Sequence, residues 1–331
     1  MGSIPELKEK WSRSVNRVVI GATAEEGGTR AKTVEIGGSA TLPFMAFEGA
    51  VGNPPAIAVE VWDSGGDGWP EQLKEVYGDA LGSAGAWAKK AVEFGADLVC
   101  LRLTGAHPDA GDRSPDDCAA TVKEVLEAVD VPLILWGCGV NEKDNQVLPA
   151  VSAAAKGENC LVGTAREKNY RTVVAVCLAD QHKLICESPL DINIAKQVNI
   201  LCSDAGYPIT DMVTFPTTGS LGYGIEYVYS IQERGRLAAL RGDKLLSQPV
   251  VCDVGFEAWR AKEAKAPPFD TVTDANRDEW GVMWESATAM VLLQAGAELL
   301  ILRHPEAIRN VRAAITRLMP APSTSPGTGK S

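Results

Sequence analysis

Eight short runs rich in valine, isoleucine and leucine recur along the chain: AIAVEV (56–61), LVCLRL (98–103), PLILW (132–136), CLV (160–162), KLIC (183–186), MVTF (212–215), VVCD (250–253) and LLIL (299–302). Each reads as a strand. Between them the apolar positions fall at helical spacing, as in GAWAKKAVEFGA (85–96), VLPAVSAAAKG (147–157), NYRTVVAVCLADQH (169–182) and WESATAMVLLQAGA (284–297). Successive runs start about 25 to 50 residues apart, room enough for right-handed crossovers between parallel strands. Eight such units predict an α/β chain folded as a (β/α)8 TIM barrel rather than an open doubly wound sheet.

Helix punctuation agrees with this pattern. Ser114-Pro115-Asp116-Asp117 reads as an N-cap, a first-turn proline and an acidic first turn, and His304-Pro305-Glu306 opens the last helix in the same way. FGADLVCLRL (94–103) is echoed by AGAELLILRH (295–304), a glycine ending each helix just before a strand. RVVIGAT (17–23) and KTVEIGG (32–38), with AEEGGTRA between, predict a β-hairpin at the bottom of the barrel. The organisation expected is an N-terminal helix and β-hairpin extension over 1–40, the barrel over 41–319 and a disordered tail over 320–331. A polar, proline-containing insertion spans 262–281.

The 331 residues are 45% hydrophobic, enough for a substantial core, and carry a net charge of -11 with basic residues scattered among acids. A phosphate-backbone footprint is therefore not expected, and nucleic acid is excluded as a partner. No long apolar span or signal core is present, so no membrane partner is expected and the location predicted is cytoplasmic. The eight cysteines, at 100, 118, 138, 160, 177, 186, 202 and 252, form no C-x-x-C pair and read as small buried hydrophobes rather than metal ligands.

In a barrel the chemistry collects where strands end. Those positions are Asp63, Thr104, Gly137, Cys138, Thr164, Glu187, Ser188, Thr217, Thr218, Asp253, Arg303 and His304. The loop PTTGSLGYGIEY (216–227) follows the sixth run. Gly219, Gly222 and Gly224 permit positive φ and close approach, and Thr217, Thr218 and the tyrosines supply hydroxyls. It is no phosphate signature, and it reads either as a cradle for a flat ligand or as a turn with packed tyrosines. In ESPLDINIAKQVN (187–199), Ser188, Asp191 and Asn193 surround a helix start, where Asp191 is either a site residue or a cap. DVGFEAW (253–259) adds an acid and two aromatics, core wall or ligand cradle. The three histidines have no nucleophile partner, and DQH (180–182) lacks the glycine of a cobalt-ligating D-x-H-x-x-G, since Ile185 stands there; His182 reads as a helix C-terminal cation.

Long blocks of the chain, among them PTTGSLGYGIEYVYSIQERGRLAALRG (216–242), VVIGATAEEGGTRAKTVEIGG (18–38), FGADLVCLRLTGAHPD (94–109), SPLDINIAKQVNIL (188–201) and LLQAGAELLILRHPEAI (292–308), resemble the small (delta) subunit of the corrinoid iron–sulfur protein of the acetyl-CoA decarbonylase/synthase system. The resemblance runs along about nine-tenths of the chain; the tail beyond Met319 has no counterpart. It implies a TIM barrel paired with a large (gamma) subunit that carries a [4Fe–4S] cluster and a corrinoid (cobalamin) domain. The corrinoid, shared between the subunits, takes a methyl group from a methyl-tetrahydropterin and passes it to acetyl-CoA synthase/CO dehydrogenase in the Wood–Ljungdahl pathway. A methyltetrahydrofolate methyltransferase is the other implied partner. On this reading Thr104, Cys138, Ser188, Asp191, Asn193, Thr217, Thr218, Gly219, Gly222, Tyr223 and Gly224 face the corrinoid, with Thr217, Thr218 and Tyr223 bonding its amide side chains. No catalytic residue and no metal ligand is expected in this chain. Two other readings stand beside it: a pterin-binding corrinoid methyltransferase using Asp63, Asp191, Asn193 and Asp253, and a docking scaffold that never touches the corrinoid.

Overall fold

All eight apolar runs form strands of one parallel sheet in the computed structural model, which describes residues 8–265 and 277–319. A separate antiparallel hairpin of β1 (Arg17–Ile20) and β2 (Val34–Gly37) precedes them. The chain continues through β3 (Ala56–Trp62), α1 (Glu71–Tyr77), α2 (Ala84–Glu93), β4 (Leu98–Arg102), α3 (Pro115–Ala128), β5 (Leu133–Trp136) and α4 (Asn141–Ala154). There follow β6 (Leu161–Ala165), α5 (Tyr170–Asp180), β7 (Lys183–Glu187), α6 (Ile192–Asp204), β8 (Met212–Phe215) and α7 (Ile225–Leu240). The last part is β9 (Val251–Cys252), α8 (Val254–Ala258), α9 (Lys262–Lys265), α10 (Arg277–Ala295), β10 (Leu299–Leu302) and α11 (Pro305–Leu318).

Strand order is β8-β7-β6-β5-β4-β3-β10-β9. The ring closes where Thr214 bridges Val250 in parallel and Thr214 N donates to Pro249 O at 2.8 Å. Side chains alternate across each strand, so the sheet has two apolar faces with different neighbours. Ile57, Val59, Val99, Leu101, Leu133, Leu135 and Leu300 face out and pack under the helices. Ala56, Ala58, Leu98, Cys100, Ile134, Leu161, Ile185, Val213 and Ile301 face in and fill the barrel.

The hairpin plugs the lower end as expected, because Val18, Ile20 and Ile36 join the interior cluster and are almost wholly buried. Each such side chain contributes about 1.5–3 kcal/mol. Arg30, in the hairpin connection, locks it to the barrel: its Nε donates to Glu158 Oε2 at 2.8 Å and its Nη2 to Leu126 O at 2.9 Å. The expected N-terminal helix falls partly on residues 1–7, outside the described residues, and 8–16 carry no helix. Residues 266–276 of the polar insertion and the expected tail, 320–331, also lie outside them.

The predicted punctuation is present. Ser114 accepts from Asp117 N at 3.2 Å with Pro115 in the first turn, and Gly95 and Gly296 stand at positive φ (95° and 119°) after α2 and α10. His182 is a correction. It is buried, its Nδ1 accepts from Cys160 N at 3.1 Å and its Nε2 donates to Ser152 O at 3.0 Å. Burial lowers its pKa, so it serves as a neutral bridge between elements rather than a cation at a helix end. Among the described residues no helix is long and apolar enough to cross a membrane.

Candidate functional site

Counting on from the inward residues by twos reaches the upper mouth of the barrel, and there the interior changes from apolar to charged. Glu60 continues Ala56 and Ala58, Arg102 continues Leu98 and Cys100, Asp253 follows Val251, and Arg303 follows Ile301. All four are buried. Glu60 pairs with Arg102 through Oε1 and with Arg303 Nε through Oε2 at 2.6 Å, while Arg102 Nη2 reaches Asp253 Oδ2 at 2.5 Å. Aromatic rings frame the guanidiniums: Arg102 lies 4.8 Å from the Trp136 ring and 4.9 Å from Phe256, and Arg303 lies 4.7 Å from Trp69 and 5.2 Å from Trp62. Two carboxylates and two guanidiniums balance, so desolvating four charges is offset by their mutual attraction and ring contacts.

The electrostatics differ from group to group. Burial alone raises the Glu60 carboxyl, but Arg102 and Arg303 outweigh it and hold its pKa down at about 2. Asp253 has one guanidinium close by, and burial pushes it up to about 7 against the pull of Arg102. Behind them Glu285, on α10, accepts from Arg303 N at 2.6 Å, His304 N at 3.2 Å and Trp259 Nε1 at 2.8 Å. Burial raises it to about 7 as well. His304 is pushed down to about 4 by burial and the nearby Arg309 charge, so its neutral Nδ1 accepts from Glu306 N at 3.1 Å and caps α11.

Around this sealed mouth the strand-end residues take separate stations. Thr104 Oγ1 donates to Asp63 Oδ1 at 3.3 Å, and Asp63 also holds Gly105 N at 2.7 Å and Arg113 Nη1 at 3.2 Å. Cys138 N donates to Asp144 Oδ1 at 2.7 Å, and burial together with that carboxylate pushes the Cys138 thiol up to about 12. No thiolate is available there. Asp191 is the N-cap of α6, accepting from Asn193 N at 2.7 Å and Ile194 N at 3.3 Å, and Asn193 is exposed. Ser188 is buried with its Oγ unpartnered.

The loop over 216–227 lies on this face and is folded on itself. Thr217 stands at φ 60° with its Oγ1 donating to Ser188 O at 2.6 Å, and Thr218 Oγ1 accepts from Asp253 N at 2.8 Å, tying the loop to the charged mouth. A methyl at Gly219 meets Tyr223 O at 2.8 Å, so that glycine is required by the loop's own backbone. Gly222 and Gly224 are at φ 72° and 91°. Tyr223 and Tyr227 project outward, 48% and 61% exposed, with Tyr223 Oη donating to Glu263 Oε2 at 3.0 Å. The segment thus joins the charged mouth through Thr218 and presents exposed aromatic surface at Tyr223, beside α9, and at Tyr227, in the first turn of α7. Motif reading passes over Glu60, Arg102 and Glu285; the available signal was one charge at an inward position of an otherwise apolar run, as in AIAVEV and LVCLRL.

Similarity to known proteins is extensive. Residues 17–315 match the family described as the CO dehydrogenase/acetyl-CoA synthase delta subunit. The acetyl-CoA decarbonylase/synthase complex subunit delta 1 of Methanosarcina thermophila is 35% identical over 305 residues, 90% of this chain and 69% of the relative. The corresponding delta subunit of Methanothermobacter thermautotrophicus is 36% identical over 287 residues, 86% and 72% of the two chains. Among solved structures, dihydropteroate synthase from Xanthomonas albilineans in complex with 7,8-dihydropteroate superposes with a TM-score of 0.56 at 14% identity, covering 82% of this chain and 95% of that one. At that identity the likeness speaks to the barrel fold alone.

Proposed function

The chain belongs to the delta-subunit family of CO dehydrogenase/acetyl-CoA synthase, and we propose that it is the small subunit of a corrinoid methyl carrier, its upper face covering a corrinoid held mainly by a large partner subunit. The observation that carries this reading is the pairing of a closed mouth with an exposed aromatic loop. Glu60, Arg102, Asp253 and Arg303 occupy the mouth and bond one another, while Tyr223 and Tyr227 stand outside it. Such a face suits a broad, flat, amphipathic occupant lying across the barrel rather than a small substrate swallowed by it.

A bound corrinoid supplies the cobalt chemistry that carries a methyl group from a methyl-tetrahydropterin to acetyl-CoA synthase. This chain's residues hold and shield it. Tyr223, Tyr227 and the backbone around Gly222 and Gly224 offer apolar contact and hydroxyls to its rim, and the rigid mouth excludes water. The [4Fe–4S] cluster is assigned in this proposal to the large subunit, as the family resemblance implies. The partners proposed are that large subunit, the methyltransferase that loads the corrinoid, and acetyl-CoA synthase/CO dehydrogenase.

A barrel that binds pterin and transfers methyl groups in its own right is supported less well. It needs Asp63, Asp191, Asn193 and Asp253 around one ring, yet Asp63 is bound to Gly105 and Arg113, Asp191 caps α6, Asn193 is exposed and Asp253 is tied to Arg102. Co-expression with the large subunit, size-exclusion chromatography and a visible spectrum test the proposal. A one-to-one complex that retains corrinoid better than the large subunit alone is the expected result. Pterin binding by this chain alone overturns it in favour of the methyltransferase, and a complex whose corrinoid retention ignores this chain leaves only a docking scaffold.

A further inference from the structure

At the lower end of the barrel, opposite the mouth, the connection from β2 to β3 carries six consecutive apolar residues, LPFMAF (42–47), and none of them is buried. Phe47 is 58% exposed. A water-facing apolar run of this length is unfavourable on a free surface and marks a place that another molecule covers. The run keeps its shape without that molecule. Thr41 Oγ1 donates to Met45 O at 3.2 Å and Met45 N to Leu42 O at 3.1 Å, while Arg236 Nη1 braces Thr41 O from α7 at 3.4 Å. A surface already fixed in this way binds with little ordering cost.

Its rim is basic. Trp11 Nε1 donates to Glu48 Oε2 at 3.3 Å, and Ser12 N and Arg13 N both donate to Leu240 O, at 2.9 and 3.2 Å. These contacts lay the 8–16 segment between the apolar run and the end of α7, so Lys10 and Arg13 stand near Arg241 and Lys244. None of these four cations is ion-paired among the described residues. Of the nearby acids, Glu48 is held by Trp11 and Asp243 by Lys196 at 2.6 Å, which leaves Glu9. Arg241 also complements the C-terminal dipole of α7, an effect that accounts for one cation and not for four.

We infer that this surface docks an acidic, amphipathic segment of a partner protein, its apolar side chains on the 42–47 run and its carboxylates on the basic rim. Charge decides among the occupants. Two copies meeting through this face oppose their own basic rims. An anionic membrane is an extended sheet that meets the rest of a chain of net charge -11 together with the patch, whereas a narrow segment meets the patch alone. The chain's own ends, 1–7 and 320–331, contain one carboxylate side chain between them, Glu6. The surface lies at the other end of the barrel from the 216–227 loop, so it stands independently of the corrinoid-covering reading.

The test uses the full chain in complex with its large subunit, at physiological salt, and a fluorescein-labelled peptide in which leucines recur at helical spacing between glutamates. A second peptide has glutamine at every glutamate. Saturable binding of the acidic peptide is expected, weakened about tenfold or more by the glutamine exchange, by Lys10→Glu combined with Arg241→Glu, and by Phe47→Ser. The same charge reversal at Lys89 and Lys123, exposed on α2 and α3, is expected to change affinity less than about twofold. The altered side chains lie at the surface, so each variant keeps its thermal midpoint within a few degrees. Equal weakening by both charge reversals reveals a general charge effect and overturns the surface, as does the absence of saturable binding. A concentration-dependent dimer of this chain that is lost in Phe47→Ser assigns the run to a second copy and overturns the acidic segment. Binding to vesicles of phosphatidylserine and phosphatidylcholine, about 1:3, without peptide binding assigns it to a lipid surface and does the same.

Discussion

Glu60 Oε2 accepts from Arg303 Nε at 2.6 Å inside the barrel mouth, with the two side chains 0% and 4% exposed. The same Glu60 also pairs with Arg102, so one carboxylate bridges two buried guanidiniums. Glu60→Gln keeps the shape and removes the charge, leaving both guanidiniums undercompensated. A loss of about 3–5 kcal/mol is expected, measured as a shift in urea midpoint at pH 7. A change below 1 kcal/mol would show that the network contributes little to stability.

The two kinds of buried carboxyl have opposite pH signatures. Glu60 is held below its ordinary value of 4.5, so its contribution is present above that value and is lost as pH falls toward 2. Glu285 is raised to about 7, so between about 4.5 and 7 the folded chain keeps a proton that the unfolded chain has released, and stability falls as pH rises through that window. Glu285→Gln removes that component. The variant's stability is expected to be flatter from pH 5 to 7 by roughly 2–3 kcal/mol, read from urea titrations at several pH values. An unchanged slope rules out Glu285 as its source.

Asp191 separates a cap from a ligand contact. As the N-cap of α6 it is replaceable by another capping residue, so Asp191→Ala costs about 1 kcal/mol and Asp191→Ser largely restores it. Thermal unfolding of the two variants gives the answer. Equal losses would mean that the carboxylate does something besides capping.

Two glycines, one in the loop and one inside α7, should respond in opposite directions. Gly219→Ala places a methyl 2.8 Å from the backbone oxygen of Tyr223, forcing the loop apart at a cost of about 1–3 kcal/mol. Gly235, inside α7 with nothing within 4 Å of its added methyl, gains about 0.5–1 kcal/mol as alanine. Denaturant titration of both, with partner association measured for Gly219→Ala, checks whether loop shape matters to assembly.

Tyr223 and Tyr227 test the outer face. Replacing both by alanine removes two exposed rings without touching the charged mouth, so the chain should keep its melting temperature within a few degrees while association with the large subunit or corrinoid retention weakens about tenfold or more. Unchanged association and retention would move the contact surface elsewhere.

Strand positions were legible because a run such as LLIL or LILW, buried on both faces of a parallel sheet, is apolar throughout and cannot be mistaken for an amphipathic surface segment. Caps and helix ends were legible for the same local reason: Ser114 and Gly95 act on groups within a few residues of themselves. The roles of Asp191, Thr218 and Gly219 were open, since each choice depended on which atoms the fold would bring near. Asp191 meets its own helix, Thr218 meets Asp253 N from 35 residues away, and Gly219 meets the backbone of Tyr223.

By itself the sequence determined the alternation of strands and helices, the hairpin and the membership of a family, because these depend on local pattern and on long matching blocks. The charged mouth was decided only by the tertiary structure. Glu60, Arg102, Asp253, Glu285 and Arg303 are scattered over some two hundred and forty residues, the widest pair being 243 apart. Strand parity turns four of them inward, barrel closure brings those ends together, and α10 carries Glu285 in behind them. Burial then fixes their pairing and protonation, since desolvation acts only once the chain has folded around them.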